Sequence, residues 1–149
     1  MYIYFLLAAL VAVFDLLTKL WVQNVFSYGE QVPVLPFFNL VYVRNTGTSF
    51  SMFSAASPAI ITGVACLITV GICYFLIKEK SVFTKVCLAL ILGGAVGNII
   101  DRICFGAVTD FMDFYIGQWH WPAFNVADSA ICIGVLLLLY QAFFMKEKK

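Results

Sequence analysis

The sequence predicts an all-α polytopic membrane protein with four spanning helices, and three observations carry that reading. Of 149 residues, 63% are hydrophobic and only 11% are charged. A soluble domain carries about 25% charged residues, so this chain lacks the means to cover a water-facing surface. Four separate runs approach the roughly 20 apolar residues that a helix needs to cross a hydrocarbon core. The charges that remain gather at the ends of those runs.

The first span runs over about residues 2–22. Its opening stretch MYIYFLLAALVAVF has no basic leader and is followed by Asp15 and Lys19 rather than by a small-residue cleavage site. It is therefore expected to stay in place as a span. Residues 58–77 form the clearest span, with no charge at all, and residues 84–102 form a glycine-rich third one. The fourth covers about 126–145 and ends in Lys146, Glu147, Lys148 and Lys149. The whole of 1–149 reads as one membrane-embedded domain.

Six of the nine Lys and Arg residues (Lys78, Lys80, Lys85, Lys146, Lys148, Lys149) fall at one side of the bilayer. Basic residues favour the cytoplasmic side, so both termini are expected there, with residues 23–57 and 103–125 on the other side. The first of these segments is rich in β-branched and aromatic residues, with a turn signal at Asn45-Thr46-Gly47, and reads as extended. The second carries Phe111, Phe114, Tyr115, Trp119 and Trp121, and such aromatics settle at headgroup level. A net charge of +1 gives no basic field for nucleic acid. Five scattered cysteines without CxxC spacing read as packing residues rather than disulfides or a zinc site.

Ionisable groups inside a membrane protein call for a functional hypothesis. Asp15, Thr18 and Lys19 share a helix face, and the acid and base at i, i+4 form a favourable pair. In the third span Gly94, Asn98 and Asp101 line one stripe, and Gly93 and Gly97 are spaced for close helix approach. Arg102 and Arg44 are candidates to neutralise Asp101. Asp110 and Asp128 have no cation at helical spacing. Asp128 lies in the first turn of its helix, with Asn125 placed to cap it. Two such carboxylates brought together share a proton, one serving as base toward water while the other polarises a carbonyl. Asp113 rivals Asp110, and composition does not separate them. A lone His120 excludes an HExxH metal site, and no serine sits in a nucleophile motif.

Five ordered blocks resemble the lipoprotein signal peptidases, the type II signal peptidases of bacteria. They are Asp15-Leu-Leu-Thr18-Lys19, Asn45-Thr-Gly47-Thr-Ser49-Phe50, Gly93-Gly94-Ala95-Val-Gly97-Asn98-Ile-Ile-Asp101-Arg102, Gly106-Ala-Val108-Thr-Asp110-Phe111, and Phe124-Asn125-Val-Ala127-Asp128. The resemblance spans nearly the whole chain. It implies an aspartic endopeptidase with Asp110 and Asp128 as catalytic residues and no metal or organic cofactor. Asn45, Gly47, Asn98 and Arg102 would position substrate or carboxylates, Asn125 would orient Asp128 or the substrate, and Asp15, Lys19 and Asp101 would support them. The implied substrate is a diacylglyceryl-modified prolipoprotein in the bacterial cytoplasmic (inner) membrane, cut on the amino side of its lipidated cysteine. A small β-cradle, a mobile interfacial helix and inhibition by cyclic peptides of the globomycin type are implied likewise. Against this stand a small four-helix proton- or cation-coupled transporter and a non-catalytic lipoprotein-binding factor. Transport sites lie near the midplane, whereas these acids cluster at one end.

Overall fold

The computed structural model describes residues 1–47 and 58–145. Four helices are long and apolar enough to cross a membrane: α1 (Tyr2–Val25), α2 (Pro58–Lys78), α3 (Val82–Phe105) and α4 (Val126–Phe144). The chain thus runs up, down, up and down. Strands β1 (Gln31–Leu35), β2 (Phe38–Asn45), β3 (Val108–Ile116) and β4 (Trp119–His120) form an antiparallel sheet in that order. The sheet is built from the segments that follow α1 and α3, so it lies at the end of the bundle where those two helices stop and α4 begins.

Lipid is as apolar as a leucine side chain, so helices associate here by close packing and buried polar bonds rather than by escape from water. α3 is the centre of the bundle and packs against α1, α2 and α4. Its glycines make the approach possible. A Cβ at Gly93 would lie 2.5 Å from the Ala8 carbonyl oxygen of α1, and one at Gly94 would lie 2.8 Å from Ile131 Cγ1 of α4. On α1 the buried residues Ala8, Ala12, Asp15, Lys19 and Val22 recur at helical spacing, while Leu6, Leu10, Phe14 and Leu17 remain on the lipid-facing side. The polar pair is therefore on the packed stripe.

The four spans agree with those expected from hydropathy, with α1 and α3 each running three residues further, to Val25 and Phe105. Asp15 and Lys19 consequently lie within α1 rather than in its last turn. α3 stops at Gly106, whose φ of +72° suits a residue without a Cβ. That turn sends the chain directly into β3. The extended reading of residues 33–53 holds for the described part, through β1 and β2, and residues 48–53 lie outside the described residues. Residues 103–125 form no helix of their own beyond the last turn of α3. They contribute β3 and β4 instead, because β2 offers unpaired backbone groups and Val108–Ile116 supplies a β-branched and aromatic partner. An interfacial helix is not found among the described residues.

Candidate active site

Two structural devices bring the polar blocks together. The first is the start of α4. Asn125 caps the helix, its Oδ1 accepting the Asp128 amide at 2.9 Å. Asp15 reaches across from α1 so that its Oδ1 accepts the Ala127 amide at 2.8 Å. Free amides at a helix N-terminus favour an anion, which explains how a fully buried carboxylate is tolerated there. Asp15 Oδ2 pairs with Lys19 Nζ at 2.7 Å, so both members of the pair expected on α1 are present. A Cβ at Gly97 would lie 2.6 Å from that Oδ2, so α3 needs glycine opposite the buried acid.

The second device is the β2–β3 ladder. Asn45 pairs with Val108 and Val43 with Asp110, so the ends of the two strands deliver Asn45 and Asp110 to the same place. Asn45 Nδ2 donates to Asp110 Oδ2 at 3.2 Å, and Asn45 Oδ1 accepts the Gly47 amide at 3.0 Å, closing the expected turn. Arg102 Nη2 donates to the Gly47 carbonyl at 3.2 Å and ties this turn to α3.

Asn98 and Asn125 join the two devices. Lys19 Nζ donates to Asn98 Oδ1 at 2.8 Å. An ammonium has only donors, so the amide nitrogen of Asn98 must face the other way, and it donates to Asp128 Oδ1 at 2.8 Å. The same logic fixes Asn125. Its oxygen is committed to the α4 amide, so its nitrogen is directed to Asp110 Oδ1 at 2.7 Å and also approaches Asn98 Oδ1 at 3.2 Å. Asp110 and Asp128 thus hang from two amides that contact each other. Asp110 is buried and Asp128 is half-buried. Asp128 Oδ2 makes no hydrogen bond with the described residues. Burial, reinforced by the negative charge of Asp128, pushes the Asp110 carboxyl up to about 7, while bonds from Asn45 and Asn125 and the charge of Lys19 pull the other way.

Asp113 lies elsewhere. Three residues apart on a strand, Asp110 and Asp113 project to opposite faces. Asp113 Oδ2 accepts from Asn39 Nδ2 at 2.8 Å, and both its oxygens lie 2.9 Å from His120 Nδ1. His120, expected only as an interfacial residue, is thus half of an acid–imidazole pair. Asp101 is met differently from expectation. It accepts the Thr109 amide at 2.5 Å and has Lys19 Nζ 3.8 Å away. Arg44 instead donates to Tyr42 Oη at 3.1 Å and lies 5.2 Å from the Phe105 ring centroid. A long flexible cation next to aromatic faces finds its partner there.

Sequence reasoning missed Thr109 and Asn39. Thr109 is fully buried and links three elements: its amide goes to Asp101, its carbonyl accepts from Asn125 at 3.3 Å, and its hydroxyl accepts from Gln23 at 2.7 Å. The available signal was only its place beside Asp110 in a strand that had to meet α3. Asn39 had none, because its role comes from strand register.

Comparison with known proteins places this arrangement. The sequence model of the family described as Signal peptidase (SPase) II matches residues 7–144. A lipoprotein signal peptidase of Paraburkholderia phymatum is 48% identical over 139 residues, covering 90% of this chain and 83% of that protein. One from Yersinia enterocolitica is 41% identical over 150 residues, covering 96% and 88%. A solved structure of a bacterial membrane enzyme, determined in meso at 2.3 Å, superposes with a TM-score of 0.86 at 32% identity, covering 100% of this chain and 94% of that one. The transporter reading finds no support in any of these relatives. With the match running through all four spans and both strand-borne blocks, the chain belongs to the signal peptidase II family.

Proposed function

We propose that this chain removes signal peptides from diacylglyceryl-modified prolipoproteins, cleaving on the amino side of the lipidated cysteine, with Asp110 and Asp128 as its catalytic pair. The observation that carries the proposal is the linkage of both carboxylates to the mutually bonded amides of Asn98 and Asn125. A buried acid raised to about 7 beside a second carboxylate retains a proton near neutrality. The pair therefore has one carboxylate to take a proton from water as the oxygen attacks the scissile carbonyl. The other carboxyl donates to that carbonyl oxygen. When the C–N bond breaks, a dyad proton passes to the leaving amine and the new acid terminus forms from the water oxygen.

The remaining residues divide the support. Asn45, Gly47, Asn98 and Arg102 position the substrate backbone and the carboxylates. Asn125 orients the dyad, and Asp15, Lys19 and Asp101 hold the bonded network in register. Acyl chains keep a diacylglyceryl cysteine at the headgroup boundary, each buried CH₂ contributing about 0.8 kcal/mol. The scissile peptide is then confined to the depth at which the helix ends carry these acids. The same groove is the place for a cyclic peptide inhibitor of the globomycin type. The location that fits is the bacterial cytoplasmic (inner) membrane, with the site on its outer face.

The test is processing of a lipidated precursor peptide by purified protein in detergent or lipid. Asp110→Asn and Asp128→Asn should each abolish cleavage, and an unlipidated precursor should be cut far more slowly by the wild type. Normal processing by Asp110→Asn together with loss in Asp113→Asn would transfer the role to Asp113.

A further inference from the structure

Beside the β3–β4 hairpin lies a basin of about 510 Å³, walled by Phe37, Phe114, Ile116, Trp119, Trp121 and Phe124. Its walls are almost wholly carbon, and its size is that of a ligand pocket. Ile116 is 79% exposed and Trp119 60%, the opposite of what large apolar side chains do beside water. Phe124 lies two residues before the first residue of α4, and its ring stacks on Phe114 at 5.8 Å. The wall of the basin is therefore continuous with the start of a membrane span, at the end of the bundle that holds Asp110 and Asp128.

The hairpin that carries this basin is held to β3 by a short ladder and by bonds just beyond it, the Trp121 amide donating to the Phe114 carbonyl at 2.8 Å and Phe124 bridging Met112. β4 pairs with β3 at only two positions, Tyr115 with His120 and Ile116 with Trp119. A two-residue ladder is weak by itself. A side-chain clasp supplements it. Asp113 is buried, receives Asn39 from β2, and holds His120 Nδ1 from β4 through both oxygens. The imidazole stacks on Tyr115, its cross-strand neighbour, at 5.1 Å. Trp119 and Trp121 flank His120, and their rings meet edge to face at 5.9 Å. Asp113, a carboxylate that the dyad does not use, thus holds the residue that stands between the two indoles.

We propose that the β3–β4 hairpin is a lipid-seating element, whose aromatic basin takes the glycerol and upper acyl region of a membrane phospholipid, and that Asp113, through His120, is the positioning residue that keeps the basin in shape. Indole and phenol rings suit this ligand because they join an apolar body to a polar edge. The proposal does not depend on the catalytic assignment, since it is read without substrate.

The experiment uses full-length protein in nanodiscs of phosphatidylcholine brominated either high or low on the acyl chain. Trp21→Phe removes the only other tryptophan, so fluorescence reports Trp119 and Trp121 alone. Lipid brominated near the glycerol should quench strongly and lipid brominated near the chain end weakly. Asp113→Ala and His120→Phe should each reduce the shallow quenching by at least half, with near-ultraviolet circular dichroism verifying that the bundle is folded. The proposal fails if shallow bromines do not quench in the Trp21→Phe protein, or if quenching persists unchanged in both clasp variants. It fails as well if an unlipidated signal-sequence peptide displaces the lipid and abolishes quenching, since the basin would then be a peptide site.

Discussion

Asp110 occupies the position with the strongest electrostatic conflict outside the spans. It is buried, lies in the field of a second carboxylate, and is relieved among the described residues by two neutral amides and the more distant Lys19. The balance of those partners sets the pH at which the pair loses its last proton. Activity that needs one proton in the pair should therefore fall on the alkaline side with an apparent midpoint near 7. Hydrogen bonds to a carboxylate stabilise its charged form and lower its pKa. Removing the bond from Asn45 must raise it. In Asn45→Ala the alkaline limb of kcat/KM should accordingly move to higher pH, even though peak activity falls with the loss of a positioning group. A limb that moves to lower pH, or that stays in place, would contradict the assignment of Asp110 as the proton holder.

Among the elements, α3 carries the arrangement, because it touches every other helix and presents a different glycine to each side. Gly93 faces α1 and Gly94 faces α4. Either methyl would meet backbone, which cannot swing aside, so Gly93→Ala and Gly94→Ala should each destabilise by about 1–3 kcal/mol, the usual cost of overpacking. Thermal unfolding in detergent measures this. The two should differ in activity. Gly94 abuts Ala127, the residue before Asp128, so its substitution displaces the first turn of α4 and Asp128 with it. Gly93 lies against Ala8 and Val11, away from that turn. Gly94→Ala should therefore lose more cleavage than Gly93→Ala at equal loss of stability. Equal losses in activity would show that α3 serves only as a spacer.

At the scale of the whole molecule, the up-and-down course of the helices places the sheet and all the paired acids at one end and the Lys78–Lys85 connection at the other. The distribution of basic residues predicts that this connection faces the cytoplasm. In a cysteine-free background, Ser27→Cys should react with a membrane-impermeant thiol reagent added to intact spheroplasts, and Lys80→Cys should react only after lysis. The reverse pattern would invert the orientation. Composition alone determined that the chain crosses a membrane, and hydropathy placed four spans within a few residues, because the cost of apolar surface in water and of charge in lipid acts on each segment separately. Residue order also supplied the blocks holding Asp15, Asn45, Asn98, Asp101, Asp110 and Asp128. Only the tertiary structure decided which groups meet. The parity of β3 parted Asp113 from Asp110, strand register gave Asn39 and His120 to Asp113, and the crossing of α1 with α4 seated Asp15 on the Ala127 amide. The Asn39–Asp113 and Asp15–Ala127 bonds join residues 74 and 112 positions apart, and a pairing of that kind has no local signature for a sequence to display.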